Sequence, residues 1–408
     1  MHRRFSAVTA LLIAAVSSHS SLANDESRFS RIVEKPAELI TLEIATIDMV
    51  PSEGSSGPQI GLVGVTHIGD AAFYADVQDL LEAYDIVLFE AVQPIATRID
   101  SQDHDALVSH TRDAMQFVAS AIESYKIANE RYPADLAELS TFVQSEAPIV
   151  SNWLKRALND AWEMPLSYEL AEDGQSYTLR SAGGEDVLEF AAQATTQPLD
   201  LEHENIQQQL ADALGLQFQL RSLTYGAPNW RPSDMTVNEL NLALAQHGVD
   251  FAAVGGTLAG TSFPAKVVGI LLKLMSVLDA MAQGAMSDMM KVMMIEMLGN
   301  EAVMEMSMDQ LGEGFARVII DERNQVVVDD VAAIVRDEPE IESVAVLYGA
   351  AHLPDLAERL ETQLGYERDE TTWLAAISVD VAASQMDAMQ VRSMRMMIRR
   401  TLRQQLAR

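Results

Sequence analysis

Two histidines stand in the same short motif at distant points of the chain. The motif Gly-x-x-His ends at His67 and again at His352, directly after the apolar runs Ile60–Val63 and Val344–Tyr348. Each run predicts a strand, and an amphipathic helical pattern follows each motif. The sequence therefore predicts that both imidazoles lie at the carboxyl edge of a sheet, where open α/β sheets hold their ligands. Brought together there, they could supply half of a metal site.

The residues around these histidines have supporting roles to offer. The motif glycines, Gly64 and Gly349, would let the backbone approach closely at each strand end. Asp70 follows His67 by three residues and is a candidate hydrogen-bond partner for an imidazole N–H. The alternative is structural, with both histidines packed in the core and satisfied there.

A carboxylate is predicted at the end of another buried strand. Glu90 follows the apolar run Ile86–Phe89. Burying an acid is costly unless it is paired or bound to a metal, so Glu90 is a candidate metal ligand and catalytic residue. A salt bridge to an arginine is the structural alternative. If the strands before His67 and Glu90 are parallel neighbours in a βαβ unit, the two side chains lie close together.

An arginine and an asparagine precede a predicted helix over Gln325–Arg336. Asn324 is expected to be the N-cap of that helix, because asparagine is favoured at this position. Arg323 could bind a substrate carboxylate or stabilise an oxyanion, and is a catalytic candidate on that ground. A structural ion pair is the alternative for Arg323.

Composition and the N-terminal residues bound the compartment and the partners. Residues 1–23 are typical of a cleavable export signal, which predicts a periplasmic or secreted protein. The chain contains no cysteine and has a formal charge of −32. Such a surface repels nucleic acid and anionic membranes. The Met-rich stretch over 252–300 is interrupted by charges, so we expect packed helices there and no transmembrane span in the mature chain.

The pattern of elements predicts an α/β (α+β) protein with a mixed, partly parallel sheet flanked by many helices. Residues 24–57 are expected to be mostly loop with one short strand. Residues 24–104 and 193–408 are predicted to form the main domain, and residues 105–192 a small inserted α+β module. The last helix carries six arginines and no acid after Asp387. It is predicted to dock on the acidic body through a methionine-rich face, with a lipid surface or partner as the alternative.

The main domain resembles the TraB/GumN family, which includes the Tiki proteins. The resemblance rests on both Gly-x-x-His motifs, on Phe89-Glu90 and on Glu322-Arg323-Asn324. A middle region is also similar, at Leu210–Leu216, Gln219, Pro228-Asn229-Trp230 and Asp234-Met235.

The TraB/GumN resemblance implies a divalent-metal site made of His67, Glu90 and His352. It also implies peptide hydrolysis, since Tiki members are described as metal-dependent proteases. Imidazole and carboxylate ligands suit Mn²⁺, Co²⁺ or Zn²⁺, and the family favours the first two.

The insert resembles type II secretion pseudopilins of the GspG kind. The similar segments are Ala121–Lys126, Asn129–Pro133, Asp160–Tyr168 and Tyr177–Ser181. The pseudopilin pattern usually has glycine where Glu130 and Glu163 stand. The hydrophobic assembly helix is missing and the calcium loop is partial at Gly184–Asp186, so neither fibre building nor a calcium site is expected. The module is interpreted as a lid or recognition domain, with an inert insertion as the alternative.

Three functions remain open from the sequence. The first is a metal-dependent hydrolase acting on a peptide or protein substrate. The second is a non-catalytic protein that binds peptides or docks on a secretion apparatus, as a component of it. The third is a structural envelope protein in which both histidines are packed. Metal content and the effect of removing the insert discriminate between the first two.

Overall fold

A computed structural model describes residues 29–35, 39–94, 103–183, 188–191, 196, 198–199, 206–249, 285–300, 313–384 and 387–406 of the chain. The predicted export signal, the predicted partial calcium loop and most of the Met-rich stretch lie outside these residues. None of the helices in the described ranges is long and apolar enough to cross a bilayer.

The elements alternate between strands and helices along the chain. The strands are β1 (Ser30–Lys35), β2 (Leu39–Pro51), β3 (Gln59–Val65), β4 (Ile68–Gly69), β5 (Ile86–Phe89), β6 (Ser167–Leu170), β7 (Tyr177–Ser181), β8 (Leu188–Ala191), β9 (Gln217–Phe218), β10 (Trp230–Pro232), β11 (Ser343–Gly349) and β12 (Tyr366–Asp380). The helices are α1 (Ala71–Leu81), α2 (His104–Asn129), α3 (Leu136–Glu146), α4 (Pro148–Ala157), α5 (Ile206–Leu214), α6 (Gln219–Ser222), α7 (Val237–Gln246), α8 (Ala285–Leu298), α9 (Glu313–Ala316), α10 (Arg323–Asp337), α11 (Leu353–Leu364) and α12 (Ala388–Leu406).

The chain divides into two compact units. The first consists of the described residues within 1–90, 204–223 and 240–408, and the second of those within 91–203 and 224–239. The predicted boundaries of the insert, at 105 and 192, stay a prediction.

The first unit is built on a mixed sheet. Its strands run in the order β1-β2-β3-β11-β5, and β12 also pairs with β2. Strand β11 is parallel to β3 and β5, whereas β1, β3 and β12 are antiparallel to β2. The predicted α/β class with a partly parallel sheet is therefore confirmed.

The predicted adjacency of β3 and β5 is wrong, because β11 lies between them. All the residues of Val344–Tyr348 are buried, as expected of a central parallel strand that is covered on both faces. The strand that precedes His352 therefore pairs directly with the strand that precedes Glu90.

The expectation of a mostly looped lead over 24–57 is also wrong. The described part of this segment contributes β1 and the thirteen-residue β2. Strand β2 buries Ile40, Leu42, Ile44 and Ile47. It pairs with β12 along its whole length, and this long-range pairing could not be recognised from the local sequence. The Ser/Gly-rich run that suggested a loop, at 52–57, lies in the connection between β2 and β3.

The predicted break before α10 is replaced by continuous helix. A π-helical segment, Arg317–Glu322, joins α9 to α10 without a turn. Asn324 is therefore inside the helix and is not its N-cap. Its amide is fully buried and bonded to groups outside the helix, so tertiary contacts have overridden the local capping preference.

The terminal helix α12 docks on the first unit through charge. Arg395 and Arg399 both pair with the buried Glu296 of α8. The predicted apolar face is wrong in part, because Met389 and Met397 are 72% and 64% exposed. The buried side of the helix is set by the ion pairs, which point the methionines of the other side toward solvent.

The second unit packs three helices against a small antiparallel sheet. Strands β6, β7 and β8 pair in that order, and α2, α3 and α4 cover them. Helices α2 and α3 begin at aspartate N-caps, Asp103 and Asp135, which accept backbone N–H groups. The core includes Phe117, Val118, Ile122, Tyr125, Leu139, Val143, Leu154, Tyr177 and Leu179.

Candidate functional site

The site lies at the carboxyl ends of β5 and β11 in the first unit. The two strands are parallel, and the last residue of β5, Phe89, lies opposite Leu347, two residues before the end of β11. The backbone N–H of Glu90 donates to the carbonyl of Leu347 at 3.0 Å, which ties Glu90 to the strand that leads to His352. The sequence motifs thus place an acid and an imidazole at one sheet edge, as the strand-end argument predicts.

Glu90 is held by two donors. One carboxylate oxygen, Oε1, accepts from Nη2 of Arg323 at 2.8 Å, and Oε2 accepts from the backbone N–H of Gly349 at 2.8 Å. Burial raises the pKa of Glu90, but the charges of Arg323, His352 and His67 outweigh it and bring the pKa to about 2. Glu90 is therefore ionised at neutral pH.

His352 is fully buried and only one of its ring nitrogens is satisfied. Nδ1 lies 2.6 Å from Oδ1 of Asn324. Nε2 has no hydrogen-bond partner and lies 3.8 Å from Oε1 of Glu90. Burial lowers the pKa of His352 to about 4, against the opposing effect of Glu90, so the imidazole is neutral at pH 7.

Both motif glycines lie at close approaches, and the approach at Gly64 excludes a side chain. A Cβ on Gly349 would lie 3.2 Å from Oε2 of Glu90, and a Cβ on Gly64 would lie 2.7 Å from the carbonyl oxygen of Ala45. Contacts below 3 Å to backbone are not tolerated. Gly64 therefore allows β2 to pack beside the first motif, and Gly349 leaves room for the Glu90 carboxylate.

His67 is held by a residue that the sequence reasoning did not assign to the site. Its Nδ1 lies 3.2 Å from Oε1 of Gln219, the first residue of α6. His67 also interacts electrostatically with Glu90 and His352. Gln219 belongs to the region quoted for the family resemblance, but a lone glutamine carries no chemical signal that would single it out.

Asp70 makes a different contact from the one predicted for it. Its Oδ2 accepts the backbone N–H of Ser378 on β12 at 2.7 Å. Burial raises the pKa of Asp70, partly offset by the hydrogen bond from Ser378. The contact joins the start of α1 to the sheet.

Five of the predicted residues are joined by hydrogen bonds or ion pairs at one point. They are Glu90, Arg323, Asn324, Gly349 and His352. Among the residues that the structure describes, no group of three or more His, Asp or Glu side chains is close enough to form a preformed metal cluster. The predicted three-ligand set is thus not assembled as a cluster.

Comparison with known proteins finds a family match for one segment of the chain. The family model "Type II secretion system (T2SS), protein G" matches residues 98–195, which supports the predicted GspG-like module. No curated protein and no solved structure matches the chain. The resemblance of the rest of the chain to the TraB/GumN family stays a prediction.

Proposed function

We propose that the protein is a divalent-metal-dependent hydrolase that acts on peptides, with its site at Glu90, His352 and His67. One observation carries the proposal: the buried, neutral His352 leaves Nε2 without a partner beside an ionised carboxylate. Buried polar atoms are nearly always satisfied in native proteins, so an unpaired one in a charged setting points to a missing ligand.

Two of the proposed donor atoms lie close to the spacing that one divalent ion requires. Two atoms bound to one ion at about 2.0–2.2 Å are separated by somewhat less than 3.8 Å in a tetrahedral site, so Nε2 of His352 and Oε1 of Glu90 need only a small approach. His67 is the expected third ligand, and it must move toward them because the three do not form a cluster. The chemistry of these donors fits Mn²⁺, Co²⁺ or Zn²⁺.

The residues of the chain have separate roles in this proposal. Glu90 provides negative charge that is fixed in place by Gly349. Arg323 neutralises Glu90 and is the catalytic candidate for a developing oxyanion or a peptide carboxylate. A bound divalent ion would polarise the substrate carbonyl and lower the pKa of its water. The TraB/GumN resemblance supports the same assignment.

Elemental analysis of the purified mature protein tests the proposal. We expect a stoichiometric divalent metal in the wild type and its loss in His352→Ala and in His67→Ala. The matched control is His104→Ala, which removes an exposed imidazole from the second unit. Full metal retention in the double mutant of His67 and His352, in a folded protein, would refute the site.

The match of residues 98–195 supports a second function. In this alternative the protein is a component of a type II secretion system, or docks on one, through the GspG-like module. Periplasmic location, as the predicted signal indicates, suits both functions. The two functions are separated by affinity capture of type II secretion components, with the full mature chain and with a chain that lacks residues 105–192. Loss of capture with an unchanged metal content favours docking. Loss of peptidase activity alone favours a lid.

A further inference from the structure

Each histidine of the site is contacted at its backbone carbonyl and at its ring by one amide residue. Asn324 donates from Nδ2 to the carbonyl of His352 at 3.3 Å and faces Nδ1 of that ring with its oxygen. The backbone N–H of Gln219 donates to the carbonyl of His67 at 2.9 Å, and its side-chain oxygen faces Nδ1 of that ring. Each histidine is therefore contacted at both its backbone carbonyl and Nδ1 of its ring.

The hydrogen-bond network around His352 determines where its proton is. Nε of Arg359 donates to Oδ2 of Asp355 at 2.6 Å, and that oxygen also accepts from Nδ2 of Asn324 at 2.7 Å. An ionised carboxylate only accepts, so it fixes the amide nitrogen on its own side and turns the amide oxygen toward His352. Nδ1 must then carry the proton, which leaves the lone pair on Nε2.

The position of Gln219 is fixed by backbone pairing. The short strands β4 and β9 pair Ile68 with Phe218 and Gly69 with Gln217, one residue beyond His67 and one before Gln219. Gln219 itself is 5% exposed. The ladder thus places the side chain of Gln219 beside His67, and because Oε1 of that side chain faces Nδ1, the proton is on Nδ1 and the lone pair is on Nε2.

We propose that Gln219 and Asn324 are a matched pair of positioning residues that hold His67 and His352 as Nδ1–H tautomers and direct both Nε2 lone pairs to one ligand. The proposal deepens the hydrolase function given above, since it says which atom of each histidine binds the ion. Partners of this kind orient metal-binding imidazoles and raise their basicity.

Long-range 1H–15N NMR of the full mature chain, labelled at histidine and treated with a chelator, reports the tautomers at neutral pH. We expect both His67 and His352 to carry the proton on Nδ1. In Gln219→Leu, His67 should lose this signature while His352 keeps it, and Gln219→Glu should restore it because a carboxylate also accepts. Gln217→Leu, at an exposed position on β9, is the matched control and should change neither ring.

A second variant tests the His352 side without removing a buried group. Asp355→Asn replaces the accept-only carboxylate and leaves only the 3.3 Å bond to the carbonyl of His352 to orient the Asn324 amide, so part of the amides should flip and the tautomers of His352 should mix. Glu358→Gln, an exposed acid in the same helix, is the control. The affinity for added Mn²⁺ should fall about 10–100-fold in Gln219→Leu.

The proposal is overturned if either ring of the wild type carries its proton on Nε2, or if Gln219→Leu and Asp355→Asn both leave the tautomers unchanged. The tautomers are recorded without metal, so they are independent of the hydrolase function. Nδ1–H tautomers in a protein that binds no Mn²⁺ would refute the metal site and leave the positioning pair standing.

Discussion

Two carboxylates of the first unit, the buried Glu296 and the partly buried Glu90, pair with arginine in different ways. Glu296 is 2% exposed, and both of its oxygens accept guanidinium N–H groups from Arg395 and Arg399. Glu90 accepts one guanidinium and one backbone N–H, and a third group, Nε2 of His352, faces it without a partner. The first cluster is saturated and the second is not.

The Glu296 cluster is an ion pair that holds two elements together, whereas the Glu90 cluster has a nearby nitrogen, Nε2 of His352, that is available to a ligand. Glu296 joins α8 to α12, and each of its oxygens accepts at least one guanidinium N–H. The site at Glu90 keeps a lone pair in a buried, charged setting, which is typical of functional sites. Burial and charge are shared by both clusters, so the unsatisfied atom is what distinguishes them.

The largest effect is expected at the saturated cluster. Glu296→Gln leaves the buried Arg395 with only Glu34, whose side chain is 56% exposed, as a counter-ion, so the free energy of unfolding should fall by about 3 kcal/mol. Urea denaturation followed by circular dichroism measures the loss. The exposed pair of Arg336 and Asp337 gives the control, because Asp337→Asn should cost less than about 1 kcal/mol. Equal losses in the two variants would show that burial does not strengthen the Glu296 cluster.

Glu90→Gln should give a smaller loss of stability with a larger loss of function. The amide oxygen of glutamine can still accept from Gly349 or Arg323, so we expect the free energy of unfolding to fall by about 2 kcal/mol. The proposed metal binding and the proposed peptidase activity should disappear. Glu296→Gln should keep the metal content despite its larger stability loss. If both variants lose metal in proportion to stability, the contrast between the clusters is wrong.

The polar residues at the strand ends could be predicted from the sequence because each lies next to the apolar run that identifies its strand. A buried apolar run that ends in Glu90, or in Gly349 followed by His352, reveals both the strand and the polar group at its end. The order of the strands was not accessible, since β11 enters the sheet between β3 and β5 from far along the chain. Periodicity identifies elements and not their neighbours.

Local preference misled where a tertiary contact decided the structure. Asparagine before a helical pattern favours an N-cap, yet Asn324 lies within helix because His352 and Asp355 satisfy its side chain. Gln219 had no local signal at all, since its role depends on the pairing of β4 with β9. Both residues act on the histidines through contacts that only folding creates.

A third carboxylate, Asp48, extends the comparison to an acid that has no ion pair among the described residues. Burial and the nearby charges of Glu370 and Asp369 raise its pKa, against a hydrogen bond from Tyr84. Folding therefore disfavours the ionised form, and the stability of the wild type falls as the pH rises from below 3.8 through the raised pKa.

Asp48→Asn should remove that penalty. At neutral pH the free energy of unfolding should rise by about 0.5–1 kcal/mol, as expected when like charges on neighbouring strands are relieved. Below pH 3.8 the variant and the wild type should converge, because Asp48 is then protonated in both the folded and the unfolded chain. Urea denaturation at the two pH values measures both. A gain that persists in acid would mean that packing, and not charge, limits the wild type.

The smallest expected change in stability comes from two glutamates with left-handed backbone angles, where the cost of the backbone can be distinguished from the cost of the charge. Glu130 and Glu163, both in the second unit, have φ angles of 59° and 61°, in the left-handed region that favours glycine. Both stand where the pseudopilin pattern usually has glycine. A left-handed non-glycine residue costs about 1–2 kcal/mol, and glycine returns part of that as lost chain entropy of about 0.5–1 kcal/mol.

Glu130→Gly and Glu163→Gly should therefore each stabilise the second unit by about 0.5 kcal/mol. The fluorescence of Trp153 and Trp162, which lie in this unit, follows its unfolding in urea. Glu130→Ala is the matched control, since it removes the charge and keeps the Cβ. If alanine stabilises as much as glycine, then charge sets the cost at Glu130. If only glycine stabilises the unit, the left-handed backbone sets the cost in stability at Glu130. The acidic residues of the two units then differ in what destabilises them as well as in how much.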